Sequence, residues 1–84
     1  MFRGKIEYYD KVLEINPRCK EAWNNKGIAL SRLGRYEEAI ECYDRALEID
    51  PKNSLTWYNK GVALQRLGRY SEAQECFNMA ERLK

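Results

Sequence analysis

Apolar residues recur along this chain at spacings of three and four, the spacing of one face of a helix. In Lys20–Leu33 the face is Trp23, Gly27, Leu30 and Leu33. Gly34 follows, and a glycine just past the last turn commonly stops a helix. Tyr36–Ile49 carries Tyr36, Ala39, Ile40, Tyr43, Ala46 and Leu47 on one stripe. Glu37 and Glu38 stand in its first turn, where negative charge suits the helix dipole. Asp50-Pro51 closes it, because the residue before a proline disfavours helical geometry. The pattern then restarts. Asn53 or Ser54 is placed to cap a third helix running to Leu67, Gly68 interrupts it, and Tyr70–Leu83 forms a fourth. Met1–Ile15 has the pattern of Tyr36–Ile49 and predicts one more helix. The connections are a few residues long, so consecutive helices run antiparallel. The expected fold is all-α, with five helices and no sheet.

The restart is a repeat with a period of 34 residues: Trp23, Gly27, Gly34, Tyr36, Ala39, Cys42 and Pro17 return as Trp57, Gly61, Gly68, Tyr70, Ala73, Cys76 and Pro51. Lys20–Asp50 aligned with Ser54–Lys84 without a gap gives 16 identities in 31 positions, enough to define two copies of one unit. A period of this length marks stacked supersecondary units, whose shared product is a groove rather than a catalytic pocket. Phe2–Arg18 against Tyr36–Lys52 gives 8 identities in 17, so the N-terminal segment reads as the second half of a unit. The chain divides into a half-repeat (1–19), a full repeat (20–53) and a second full repeat (54–84), all in one domain.

Composition narrows the function. At 84 residues and a net charge of +2, the chain offers a modest core and no strongly basic surface, so nucleic acid is not an expected partner. No apolar run approaches the length of a membrane span, and Met1–Tyr9 lacks the apolar core of a secretory signal. Three cysteines, an odd number, form no disulfide framework, and the absence of histidine argues against a metal site. A reducing, cytoplasmic setting and no cofactor are expected. Glu37, Glu38, Glu41 and Glu72 sit at the spacing of solvated faces paired with Arg or Lys, so they do not suggest an enzyme.

A unit with Trp-x-x-x-Gly, then Gly-x-Tyr, Ala, an aromatic residue, Ala and Pro resembles the tetratricopeptide repeat family. Trp23, Gly27, Ala39, Tyr43, Ala46 and Pro51 carry the match in the first full unit, and Trp57, Gly61, Ala73, Phe77 and Ala80 in the second. Lys26 and Lys60 depart from the pattern, standing where the family often has an apolar residue. The resemblance implies a right-handed superhelix of antiparallel helix pairs. In it, the glycines and alanines let the two helices of a pair approach, and Tyr43 and Phe77 fill the gap between units.

The resemblance also implies that the first helix of each pair lines a concave face. That places Glu21, Asn24, Asn25, Ile28 and Arg32 in the groove from one pair, and Leu55, Tyr58, Asn59, Val62, Gln65 and Arg66 from the next. The expected partner is a peptide or protein segment. Asn25 and Asn59 suit two roles equally, pairing with a peptide backbone or bridging neighbouring helices. Arg32 and Arg66 suit an acidic side chain or a C-terminal carboxylate, or simply the solvated surface. Ile28, Leu55, Tyr58 and Val62 suit either residual exposure of the core, as single apolar residues on a surface are normal, or anchors for one or two apolar side chains of a peptide. Members of the family that hold a chaperone's C-terminal carboxylate use a clamp beginning with Lys and Asn four apart on the first concave helix. Here those places hold Asn24 and Ile28, and although Asn59 matches the middle of the clamp, no third concave helix is present. Chaperone tails are therefore not expected.

Two features concern the ends. Ile40 and Leu47 face the following unit, whereas their counterparts Gln74 and Glu81 are polar, as a terminal repeat requires. In the half-repeat, Lys5 and Val12 stand where full units have alanine. Phe2, Lys5, Tyr9 and Val12 thus form a face with no partner in the chain. The alternative expected function is self-association through this face, as a two-fold homodimer.

Overall fold

A computed structural model describes residues 2–84, with side chains from Gly4 onward. It contains five helices: α1 (Phe2–Ile15), α2 (Lys20–Arg32), α3 (Tyr36–Ile49), α4 (Ser54–Arg66) and α5 (Tyr70–Arg82). No strand occurs among the described residues. The helices end where the sequence has its stops. Gly34 and Gly68 take φ of 79° and 80°, a left-handed geometry that glycine adopts without a Cβ penalty. After α2, the Gly34 N–H donates to the Ser31 carbonyl (2.9 Å) and the Arg35 N–H to the Leu30 carbonyl (2.9 Å). These bonds satisfy the last carbonyls of the helix, and Gly68 and Arg69 repeat them after α4. At the start of α4 the Asn53 side chain accepts from the Leu55 and Thr56 N–H groups, while Cys19, at the same place before α2, forms no side-chain cap.

Each helix packs chiefly on its chain neighbours. The contacts within the pairs α2–α3 and α4–α5 are the most extensive, with α1 on α2 and α4 on α3 next. The result is an all-α solenoid of helices packed in sequence order, measuring 33 × 24 × 15 Å.

The close approach within a pair depends on one glycine. A Cβ on Gly27 would lie 2.5 Å from Cε1 of Tyr43, and a Cβ on Gly61 would lie 2.6 Å from Cε1 of Phe77. The aromatic ring therefore rests on the glycine of its own pair, rather than only in the gap between units as the sequence suggested. Tyr43 is 2% exposed, and its hydroxyl stands 3.3 Å from Ser31 Oγ. Phe77 also meets the ring of Tyr58, with centroids 5.5 Å apart. Small buried residues continue each seam: Ala39, Cys42 and Ala46 in one, Ala73, Cys76 and Ala80 in the other.

The tryptophans occupy equivalent, partly buried sites. Trp23 Nε1 donates to the Pro17 carbonyl and Trp57 Nε1 to the Pro51 carbonyl, both at 2.8 Å. Each indole thereby ties a helix to the connection before it.

Overfilling a packed contact costs about 1–3 kcal/mol, against a helix-propensity gain of about 0.5–1 kcal/mol for Gly to Ala. Gly27→Ala should therefore lower the urea-unfolding free energy by about 1–2 kcal/mol. Because the clash needs the Tyr43 ring, Gly27→Ala and Tyr43→Ala should be non-additive by more than about 0.5 kcal/mol in a double-mutant cycle. Additive effects would mean that the ring is not what the glycine accommodates.

Candidate interaction groove

The groove is set by how one pair is fixed on the next. Asn24 on α2 accepts two hydrogen bonds from α4, from Thr56 Oγ1 at 3.1 Å and Asn59 Nδ2 at 3.4 Å. Thr56 is fully buried, so this polar bridge crosses the core rather than the surface. Ion pairs repeat at the same register: Lys26 Nζ to Asp10 (2.6 Å) joins α2 to α1, and Lys60 Nζ to Asp44 (2.7 Å) joins α4 to α3. Each ammonium also lies 5.7 Å from the centroid of the tryptophan ring one turn earlier. The departure from the family pattern at Lys26 and Lys60 is thus a link between units. Ile40 and Leu47, facing α4, are buried, while Gln74 and Glu81 on α5 are exposed.

α4 packs extensively on α5 and α3, whereas α2 and α4 touch each other only slightly. Between them lies an open hollow of about 560 Å³ bordered by Ile28, Arg32, Tyr58, Asn59, Val62 and Arg66. Tyr36, Ser31 and Tyr43 complete it. A second hollow of about 240 Å³ adjoins it, sharing Ile28 and Arg32 and adding Asn25 from α2 and Lys5 and Tyr9 from α1. A third, of about 430 Å³, lies at the outer edge of α4 and α5, where Leu55 and Tyr58 are 59% and 53% exposed above Phe77 and Ala80.

The expected site residues therefore divide. Ile28, Arg32, Tyr58, Asn59, Val62 and Arg66 meet in one hollow and Asn25 stands in its neighbour. Leu55 lies at the α4–α5 edge, joined to the main hollow through Tyr58. Glu21 and Gln65 are exposed and border none of the three. Asn24 and Asn59 are tied to the bridge between units, whereas Asn25 is exposed, so the two equivalent amides Asn25 and Asn59 do not share a role. Of the expected self-association face, Lys5 and Tyr9 open into the second hollow, Val12 is partly buried, and the side chain of Phe2 lies outside the described residues. Sequence reasoning missed Tyr8 and Ile15 on α1, which are 65% and 87% exposed. The signal was available: Tyr8 stands at the register of the buried Cys42.

The opposite side of the molecule differs in chemistry. Around Trp23, Glu38, Glu41, Asp44 and Glu48 surround Lys26 and Arg45, and Glu72 and Glu75 take part in the equivalent place around Trp57. Burial pushes the Cys42 thiol up to about 11 and raises that of Cys76, which keeps both protonated and unreactive. Burial likewise raises the Tyr43 phenol, against a smaller lowering by its bond to Ser31. Among the described residues, no group of His, Cys, Asp and Glu is arranged to hold a metal, and no helix is long and apolar enough to cross a membrane.

Comparison with known proteins agrees with this architecture. Two profiles of the tetratricopeptide repeat match the chain, over residues 21–53 and 42–75. An uncharacterised protein of Methanocaldococcus jannaschii is 56% identical over 34 residues, which is 40% of this chain and 40% of that protein. Among solved structures, a point mutant of MamA superposes with a TM-score of 0.87 at 32% identity, covering 90% of this chain and 56% of that one. The second TPR of Spaghetti (RPAP3), bound to the HSP90 peptide SRMEEVD, superposes with a TM-score of 0.96 at 24% identity over 99% of this chain and 77% of that one. The match thus spans only about half the length of MamA and 40% of the M. jannaschii protein. It belongs to the tetratricopeptide repeat family, whose members of this fold serve as protein-interaction scaffolds.

Two stability measurements test the junction. Thr56→Val keeps the shape of the side chain and removes its donor, and should cost about 1 kcal/mol in chemical unfolding. An unchanged midpoint would show that the bond to Asn24 contributes nothing. The second concerns acid. The hydrogen bond from Lys20 (2.8 Å) holds Asp50 below its ordinary value of 3.8, and Arg35 and Arg69 likewise hold Glu38 and Glu72 below 4.5. A carboxylate with a depressed folded-state pKa contributes stability that is complete above its unfolded value and lost as pH falls through the folded one. The unfolding midpoint should therefore be flat above about pH 5 and fall below about pH 4, with a shallower fall in Asp50→Asn.

Proposed function

We propose that this chain is a non-catalytic module that binds a short segment of a partner protein across the face shared by α2 and α4. The observation that carries the reading is the continuity of Ile28, Val62 and Tyr58 in one open hollow, beside the unbridged amide of Asn25. The aliphatic and aromatic groups supply apolar area. Asn25 supplies both a donor and an acceptor for a peptide backbone. The buried bridge through Asn24, Thr56 and Asn59 holds the two walls in register, so the surface is formed before a partner arrives and little ordering is needed on binding. The folds of the similar structures, one of them peptide-bound, support the general class. The free cysteines fit a reducing cytoplasm.

A second reading is favoured by a separate observation. On α1, Lys5, Tyr8 and Val12 replace the small residues Ala39, Cys42 and Ala46 that line the seam of α3. A helix cannot seat there as closely as α2 seats on α3, yet Tyr8 and Ile15 leave apolar surface in the open. A second copy of the chain meeting this face across a two-fold axis would cover it.

For the first reading, a bound peptide should lose about tenfold in affinity with Asn25→Ala, corresponding to one lost hydrogen bond. Binding that survives Asn25→Ala and Val62→Glu, but fails on charge reversal at Glu41 and Glu48, would place the partner on the opposite face. For the second reading, sedimentation should show dimers that Tyr8→Glu dissociates. A monomer at tens of micromolar would remove it.

A further inference from the structure

Two vacancies coincide beside α1. The first is in its packing. Among the described helices α1 packs only on α2, as α3 packs on α4, and nothing stands on α1 where α2 stands on α3. The residues that would face such a helix are Lys5, Tyr8 and Val12, 34 positions before the small seam residues Ala39, Cys42 and Ala46. Lys5 and Tyr8 are exposed, Val12 is partly buried, and Ile15, next on the same strip, is exposed. The second vacancy is in the hollow of about 240 Å³, which is an unfinished copy of the one of about 560 Å³. Its residues Tyr9, Asn25, Ile28 and Arg32 are the equivalents of Tyr43, Asn59, Val62 and Arg66. The larger hollow has a further wall, made by Ile28, Ser31 and Arg32 of α2, and no described helix makes the equivalent wall of the smaller. Asn59 bonds to α2 through Asn24, whereas its equivalent Asn25 is exposed.

We propose that α1 of a second copy fills both vacancies, the two α1 helices lying antiparallel across a two-fold axis so that each completes the other's half-repeat and the missing wall of its hollow. The proposal rests on the self-association reading above and adds the direction, the register and the effect on the groove. The strip itself selects such a partner. Lys5, Tyr8, Val12 and Ile15 alternate at three and four, the spacing of a coiled-coil seam. Side chains of this size hold two helices toward the wider end of the usual separation of about 8–10 Å. They do not fit the close approach that α2 makes to α3 through Gly27. The strip is also complementary to its own reversed copy. A register centred between Tyr8 and Val12 sets the large Tyr8 of each copy against the smaller Val12 of the other, and Lys5 against Ile15. Large against small is how facing layers interdigitate. The charges favour the same direction. α1 has no basic residue in its last turn, where a cation suits the free carbonyls of a helix. A reversed copy brings Lys5 there, beside Glu14, whereas a parallel copy sets Lys5 against Lys5. A single helix pair buries less area than a standard stable interface, so the dimer is a weak one.

Sedimentation of the unsubstituted chain tests association, and disulfide trapping tests the arrangement. In a Cys19→Ser background, Lys5→Cys and Ile15→Cys are made in separate chains, one of them tagged to change its mass. Cys42 and Cys76 are buried and do not compete. All the substituted side chains except Cys19 are exposed, and circular dichroism confirms that the variants fold. Under mild oxidation the mixture should give a disulfide between the two variants, and neither variant alone should give one. In the reversed register, like residues at either end of the strip stand about 15 Å apart along the axis at about 1.5 Å per residue. A disulfide spans a Cα separation of only about 4.4–6.8 Å. Diluting the unsubstituted chain should shift amides along α1 and at Asn25. Association that Tyr8→Glu abolishes, but with a disulfide in either variant alone or none in the mixture, would overturn the antiparallel arrangement and leave the self-association reading in place. An Asn25 amide indifferent to dilution of such a dimer would overturn the completed wall in the same way. A monomer at tens of micromolar would overturn both. Masses that climb past two copies, with dilution shifts in α4 and α5, would replace the two-fold pair with a head-to-tail contact in which α1 sits on the exposed Leu55 and Tyr58 of the next copy.

Discussion

Everything in this molecule follows from how near two helices of a pair are allowed to come. The limit is set at Gly27 and Gly61, where an aromatic ring from the next helix occupies the space a side chain would take. Because the ring is fixed there, the alanines and cysteines of the same seam are brought into contact along its length. A pair built this way has two usable faces left over. One receives the following pair and the other stays open, and the open faces of successive pairs are necessarily side by side. The groove is thus a by-product of the packing, and its walls are as rigid as the seam behind them.

The joint between pairs is held differently from the joint within them. Within a pair the contact is apolar and tight. Between pairs, polar groups fix the register: the Asn24–Thr56–Asn59 bridge and the Lys26–Asp10 and Lys60–Asp44 pairs. Apolar contact tolerates sliding, whereas a hydrogen bond between named atoms does not. Among the described residues, no buried side-chain nitrogen or oxygen is left without a partner, so this polarity is placed in the core without an unsatisfied group. The acids gather on the α3 and α5 side, several of them paired with cations within a helix or across a junction. The last turns of α2 and α4 present their arginines to the groove.

Much of the fold was legible in the sequence because its determinants are local. Gly34, Gly68 and Pro51 end the helices that precede them, and Asn53 caps the one that follows, through bonds spanning no more than a few residues. The family pattern carried the pairing of helices. Part of what escaped lies where the two copies differ. Thr56 and Asn24 meet across the core, but their counterparts are Ala22 and Tyr58, so the internal alignment hides the bridge. Lys5 and Tyr9 were grouped with the outer face of α1 by helical spacing, while the packing of α1 on α2 turns them toward the groove. Leu55 belongs to the stripe of Tyr58 and Val62 by spacing, yet it sits beyond the last groove wall because no further helix stands beside it among the described residues.

The three thiols give the molecule an internal gauge of its own opening. Cys42 and Cys76 lie in the two seams, equivalent in position and buried, while Cys19 stands partly exposed in the first connection. A water-soluble alkylating reagent can reach Cys19 in the native state but must wait at the other two until a pair comes apart. The delay at Cys42 reports the parting of α2 from α3, and that at Cys76 the parting of α4 from α5. The solenoid's two units, built on one repeated pattern, can therefore be timed separately and without introducing any probe.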